Sequence, residues 1–109
     1  MIPVTYLFVP GNRPERFAKA LASAADRVIV DLEDAVAPAD KATARNALGA
    51  WLPQLSATER SRVVVRINDA LSPWHADDLA WLSEQALDEV MLSKCESAAQ
   101  VAAVHARIA

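Results

Sequence analysis

Only two glycines, Gly11 and Gly49, occur in the 109 residues, so a glycine-rich nucleotide loop has no material here. Cysteine is scarcer still. Cys95 stands alone, which excludes a disulfide within these residues and suits a reducing compartment. Positive charge is not in excess: 11 Lys and Arg face 14 Asp and Glu, for a net charge of −3. With no Lys/Arg cluster either, nothing points to nucleic acid. No apolar run approaches the roughly 18 residues that span a bilayer. No basic stretch leading into an apolar segment marks an export signal. A cytoplasmic protein without membrane or nucleic-acid partners is expected.

What is present is a folding composition. The chain is 53% hydrophobic and 23% charged, enough for one domain over residues 1–109 with a modest core. Short apolar runs alternate with segments of helical period. Val4 to Val9 reads as a buried strand closed by Pro10-Gly11. A helix follows from about Pro14 to Ala24, with Phe17, Ala18, Leu21 and Ala25 on one face. Arg27 to Leu32 is a second strand. Asp40 is a candidate cap for a helix from about Lys41 to Leu52, striped by Ala44, Ala47, Leu48, Trp51 and Leu52. Arg62 to Ile67 is a third strand. Ser72-Pro73 opens a helix with Asp77 and Asp78 early, where the dipole favours acids, and Leu79, Leu82 and Ala86 inward. Glu89 to Leu92 is a fourth strand. Ser97 and Gln100 suit a capping box for a last helix carrying Val101, Val104 and Ile108.

The order is β-α-β-α-β-α-β-α. Continuously apolar strands imply a parallel sheet covered by helices. Two α/β architectures fit this pattern. One is half of a (β/α)₈ TIM barrel, which needs about 250 residues. The other is a small doubly wound sheet.

In both, function gathers beyond the carboxyl ends of the strands. Those ends read Pro10-Gly11-Asn12-Arg13, Asp31-Leu32-Glu33-Asp34, Arg66-Ile67-Asn68-Asp69 and Ser93-Lys94-Cys95-Glu96, all polar. Three carboxylates in four residues repel one another. They suit a divalent cation, basic partners or a solvated turn. Arg66, closing a valine strand, either pairs with that cluster or clamps a ligand carboxylate, and Asn68 adds an amide nearby. Arg13, Arg16 and Lys19 recur at three-residue spacing. They form a basic edge for a phosphate-bearing ligand or a solvated helix face. Lys41 and Lys94 can reach the acids or form surface ion pairs. Cys95 is read as a packed residue, and His75 and His105 lack metal-ligand spacing. Trp51, Trp74 and Trp81 are expected to pack helices onto the sheet.

Four of these segments together resemble one family. Tyr6-Leu7-Phe8-Val9-Pro10-Gly11-Asn12 comes first, then Val30-Asp31-Leu32-Glu33-Asp34-Ala35-Val36-Ala37-Pro38 with Lys41 and Arg45. Val65-Arg66-Ile67-Asn68 and Met91-Leu92-Ser93-Lys94-Cys95-Glu96 complete the set. In this order they are similar to the citrate lyase β-subunit and malyl-CoA lyase group of the HpcH/HpaI aldolase superfamily. The resemblance implies the N-terminal half of a TIM barrel with four parallel βα units. It implies a magnesium-dependent lyase that splits a citryl- or malyl-CoA-like β-hydroxy acyl thioester into an acetyl thioester and a keto acid. A half barrel would expose two open sheet edges and apolar faces, so association is expected, with a second copy as a homo-oligomer or with a complementary fragment.

By the same resemblance Arg66 holds the substrate carboxylate, with Asn68 beside it, and Glu33 and Asp34 lie beside the Mg²⁺, through water. Asn12, Arg16 and Lys19 approach the coenzyme A phosphates. Asp31, Lys41 and Lys94 support the acidic cluster. The family's direct metal ligands, a Glu and an Asp, lie on later strands, so the 109 residues alone are expected to be inactive. Ser93 stands where the family often has proline, Cys95 where a small apolar residue is common, and Val4-Thr5 where an Arg-Ser pair is common. A receiver-like switch module is the competing reading. It would need a phosphoacceptor aspartate ending a middle strand, where Arg66-Ile67-Asn68 stands.

Overall fold

The computed structural model describes residues 5–85, 87 and 89–92. The expected last helix lies outside the described residues, as do Ala86, Lys94, Cys95 and His105. Four strands form one parallel sheet in the order β1-β2-β3-β4: β1 Tyr6–Pro10, β2 Arg27–Asp31, β3 Val63–Ile67 and β4 Glu89–Leu92. Each crossover between parallel strands carries helix, as the geometry of such pairs demands. The helices are α1 Phe17–Leu21, α2 Lys41–Trp51, α3 Ala57–Arg60 and α4 His75–Leu82.

Alternation along the strands makes two faces. Val9, Val28, Val30, Val63, Val65 and Ile67 pack against Phe17, Ala44, Leu48, Leu52, Leu79 and Leu82 on the helix side. The intervening positions face the other way and run across the sheet in register. One row is Phe8, Ile29 and Val64; the next is Pro10, Asp31, Arg66 and Met91. That second row is where polar residues replace apolar ones, at the carboxyl rim.

The structure corrects several expectations. The first helix is shorter: Pro14–Arg16 is a 3₁₀ turn and the α-helix spans only Phe17–Leu21. Phe17, Ala20 and Leu21 are buried, whereas Ala18 is exposed. An α-helix so short offers little N-terminal dipole to an anion. Asp40 makes no side-chain cap, because Pro38–Asp40 already forms a 3₁₀ turn that leads into α2. Helix α3 was not expected. Its signal was legible: Ser56 Oγ accepts from the Glu59 N–H and Glu59 Oε1 accepts from the Ser56 N–H, a full capping box. At four residues it is too short to show a hydrophobic stripe. The tryptophans divide. Trp51 packs on Phe17 with ring centroids 5.1 Å apart, and Trp81 lies against the core. Trp74 instead sits at the rim.

Gly11 lets the first turn close on the second strand. A Cβ there would lie 2.9 Å from the Asp31 carbonyl oxygen and 2.9 Å from Leu32 Cδ2. The Gly11 N–H donates to that same carbonyl at 2.8 Å. The opposite ends of the strands are tied by Arg62, whose guanidinium donates to the carbonyls of Leu21, Ser23 and Ala25.

Candidate active site

Strand β2 ends in Asp31, and its partner in parallel register is Arg66, one residue before the end of β3. Arg66 Nε donates to Asp31 Oδ1 at 2.9 Å and Nη2 donates to Oδ2 at 2.7 Å. Asp31 also receives the backbone N–H of Glu33 at 2.8 Å and of Ala35 at 3.0 Å. One carboxylate therefore fixes both the arginine and the turn that carries the remaining acids. Burial pushes the Asp31 carboxyl upward. The Arg66 hydrogen bonds, the two backbone donors and the Arg66 charge outweigh burial and hold it below the usual carboxylate value. The Asp31 hydrogen bonds, acting against burial, hold the Arg66 guanidinium above its usual value, so it remains a cation.

The pairing is side-on. It occupies Nε and one hydrogen of Nη2, and leaves the Nη1/Nη2 end of the fork for another carboxylate. The Arg66 side chain is 24% exposed and its Cζ lies 5.4 Å from the Phe8 ring centroid. Phe8, Val9, Pro10, Asp31, Asp34, Ala35 and Arg66 line a cleft of about 400 Å³.

Glu33 is buried, with Oε1 3.9 Å from Arg66 Nε, while Asp34 is exposed at the cleft. Lys41 reaches the turn from α2. Its Nζ donates to the carbonyls of Leu32 at 2.9 Å and Glu33 at 2.6 Å and lies 5.0 Å from the Trp74 ring centroid. It thus supports the acidic turn through backbone carbonyls. Burial lowers the Lys41 value, against the upward pull of Asp31, Asp78, Glu33 and Asp34.

Arg16 and Lys19 line a second cleft with Leu7, Phe8, Val9, Pro10, Ala20 and Ser23. Phe8, Val9 and Pro10 are shared, so the basic edge adjoins the Arg66 cleft. Asn12 is not part of either lining. Its Nδ2 donates to Asp40 Oδ2 at 3.2 Å.

Asn68 is 2% exposed, and its Nδ2 donates to Asp78 Oδ2 at 2.6 Å. Its place is in the β3–α4 corner, beside a third cleft lined by Glu33, Asp34, Lys41, Asp69 and Trp74 among others. Asp78 is the functional-looking residue that sequence reasoning passed over, by treating it as a dipole residue alongside exposed Asp77. The signal existed: Asp78, Leu79 and Leu82 fall at i, i+1 and i+4, on the buried face of α4.

A cleft lined by charged residues at the carboxyl ends of parallel βα strands is where α/β barrels carry their active sites. The comparisons make it specific. The profile of the HpcH/HpaI aldolase/citrate lyase family matches residues 5–109, and the chain belongs to that family, one of lyases. It is 53% identical over 96 residues to a citrate lyase subunit beta-like protein of Mycobacterium tuberculosis, covering 88% of this chain and 33% of the relative. It is 45% identical over 105 residues to an L-malyl-CoA/beta-methylmalyl-CoA lyase of Cereibacter sphaeroides, covering 94% of this chain and 33% of the relative. Among solved structures it resembles CitE from M. tuberculosis in complex with magnesium, acetoacetate and coenzyme A. There the TM-score is 0.80 at 52% identity, over 91% of this chain and 35% of that one. RipC from Yersinia pestis matches at a TM-score of 0.70 and 27% identity, over 96% of this chain and 40% of that one. The chain spans about a third of the length of the curated relatives it matches, and its four strands correspond to the N-terminal part of the CitE-like barrel. Among the described residues, no helix is long and apolar enough to cross a membrane.

Proposed function

We propose that these residues form the substrate-carboxylate half of a carbon–carbon lyase site. The substrate would be a β-hydroxy acyl-CoA thioester of the citryl or malyl type. Deprotonating its hydroxyl breaks the adjacent C–C bond. The bonding pair passes to the thioester α-carbon as an enolate, which a proton converts to the acetyl thioester, and the former carbinol leaves as the keto acid. The carrying observation is the side-on Asp31–Arg66 pair, which presents the free end of a permanently charged fork to the cleft.

Each residue has a part in this reading. Arg66 binds the carboxylate of the keto acid portion. Arg16 and Lys19, in the adjoining cleft, take the coenzyme A phosphates, and Asn12 holds the turn before them through Asp40. Asn68 supports the β3 corner beside the substrate. Asp31 and Lys41 hold the acidic turn, with Lys94 assigned there by sequence. Magnesium is a component of the CitE complex named above. Glu33 and Asp34 are hard oxygen donors of the kind it prefers. Among the described residues, however, no group of three or more His, Cys, Asp or Glu side chains is arranged to hold a metal ion. We therefore place Glu33 and Asp34 in water-mediated contact, with direct ligands outside these residues, and derive no step through the metal. A homo-oligomer in the cytoplasm fits this reading.

The test is a thioester cleavage assay on the purified full-length protein, with malyl-CoA and citryl-CoA, and with and without a chelator. Release of acetyl-CoA that requires a divalent cation and collapses in Arg66→Ala supports the reading. Failure to cleave either thioester, together with failure to bind oxaloacetate or acetoacetate, rejects it.

A further inference from the structure

Asp78 is a carboxylate with 0% exposure that the proposed chemistry does not use. Its Oδ2 accepts the Asn68 backbone N–H at 2.8 Å and Asn68 Nδ2 at 2.6 Å. Its Oδ1 lies 3.7 Å from Arg45 Nε, a residue of the motif on α2. His75 Nδ1 stands 2.8 Å from the Asn68 carbonyl, a contact that requires the proton on Nδ1. Asn68 is thus held by α4 at its N–H, its side-chain amide and its carbonyl.

Stability alone is a poor reason for such an arrangement. A buried ion pair gives no clear advantage over apolar packing of the same volume. What Asp78 does, and a leucine could not, is capture two N–H donors of one residue at the point where β3 stops. Strict alternation would send residue 68 to the same face as Val64 and Arg66. Asp78 draws it to the helix side instead. The chain therefore turns immediately after Arg66-Ile67. The Arg66 carbonyl remains in the ladder, accepting the Leu32 N–H at 2.9 Å, so the ends of β2 and β3 stay in step.

We propose that Asp78 is a positioning residue for Arg66, acting through Asn68: it fixes the pitch of the β3 terminus so that the guanidinium lies side-on to Asp31 with its free end toward the cleft. This rests on the reading of Arg66 as the carboxylate site. Arg45 completes the device by balancing the Asp78 charge from α2, so that three elements converge on one rim position.

The experiment is titration calorimetry of oxaloacetate into the folded full-length protein in the presence of magnesium. The variants are Asp78→Ala, Asp78→Asn, Arg66→Lys and the double variant Arg66→Lys/Asp78→Ala. Affinity is read per folded molecule, so a loss of stability does not register. Asp78→Ala is expected to weaken binding about tenfold. Asp78→Asn, which keeps one carbonyl oxygen for both Asn68 donors, is expected to weaken it about threefold. The double variant should bind no worse than Arg66→Lys, because both changes act on one group. Wild-type affinity in folded Asp78→Ala overturns the proposal, as does a loss that adds to that of Arg66→Lys. If Asp78→Ala does not fold, wild-type affinity in Asp78→Asn overturns it equally. If Arg66→Lys itself binds like the wild type, the underlying carboxylate-site reading fails instead.

Discussion

Asp31 and Arg66 occupy paired positions on adjacent parallel strands, and both oxygens of the first meet the fork of the second, at 2.9 and 2.7 Å. The pair lies in the row of the sheet where alternation would otherwise place apolar residues. Asp31 is also bonded to the Glu33 and Ala35 N–H groups, so the arginine and the acidic turn share a single anchor. A guanidinium held this way loses little further freedom when a ligand carboxylate arrives, which is how preorganisation raises affinity.

That anchor makes the protein's acid stability depend on Asp31. Its folded carboxyl is held below the ordinary value near 4, because hydrogen bonds and the Arg66 charge outweigh burial. The stabilising contribution is therefore complete above about pH 4 and is lost as pH falls through the lowered folded value. Asp31→Asn should cost about 3 kcal/mol at neutral pH, at the low end for a broken buried pair because Arg66 is partly exposed. Urea unfolding at pH 7 and at pH 3 checks the sign: the gap between wild type and variant must narrow at the lower pH.

Replacing Arg66 by lysine keeps the charge and loses the fork. One ammonium cannot face Asp31 side-on and still present a second planar edge to a ligand. Arg66→Lys should change stability by about 1 kcal/mol, yet weaken oxaloacetate binding at least tenfold. Equal affinities for the two proteins would mean that the ligand carboxylate binds elsewhere.

Much of this was legible beforehand, and the reasons are local. Val28 to Val30 and Val63 to Val65 are short, continuously apolar runs, the mark of parallel strands covered on both faces, and the polar residues at their ends mark the rim. Both readings of Arg66, pairing with the acids or holding a ligand, turn out to be compatible, because a guanidinium has two usable edges. Asp78 was hidden because an acid in the first turn of a helix has an ordinary explanation. Its place on the face of Leu79 and Leu82 and its contact across ten residues to Asn68 separate it from exposed Asp77. The shortness of α1 was hidden too. Ala18 and Ala25 satisfy a helical stripe on paper, but the chain leaves the helix at Ala22 and hands three carbonyls nearby to Arg62.

Gly11 is where the first rim turn touches the second. A methyl group there meets backbone and the packed Leu32 and Ala44 side chains, the last at 3.2 Å, none of which can swing away cheaply. Gly11→Ala should destabilise by about 1–3 kcal/mol, the usual cost of overpacking. It should also weaken ligand binding, because one of the two atoms met at 2.9 Å is the carbonyl of Asp31. Thermal melting and oxaloacetate titration measure the two effects. A melt unchanged from the wild type would show that the turn relaxes freely.

Lys41 gives a test of the same pH sense in an alkaline window. Its ammonium is buried against the turn, where it holds the carbonyls of Leu32 and Glu33. Lys41→Met preserves most of the stem but leaves those two acceptors without their donor, at about 1–3 kcal/mol for a buried group. Burial lowers the folded value of Lys41 despite the surrounding acids. The unfolded chain therefore binds more protons than the folded one between that lowered value and the ordinary value near 10.4. Stability contributed by this position must rise with pH across that window, since ∂ΔG/∂pH has the sign of the protons bound in the unfolded state minus those in the folded. The wild type should accordingly gain on Lys41→Met when urea midpoints are compared from pH 8 to pH 10. A difference that shrinks over that range would mean that attraction to Asp31, Glu33 and Asp34 outweighs desolvation, and the lysine would then act as an ion-pair partner of the acids rather than as a strut beneath their turn.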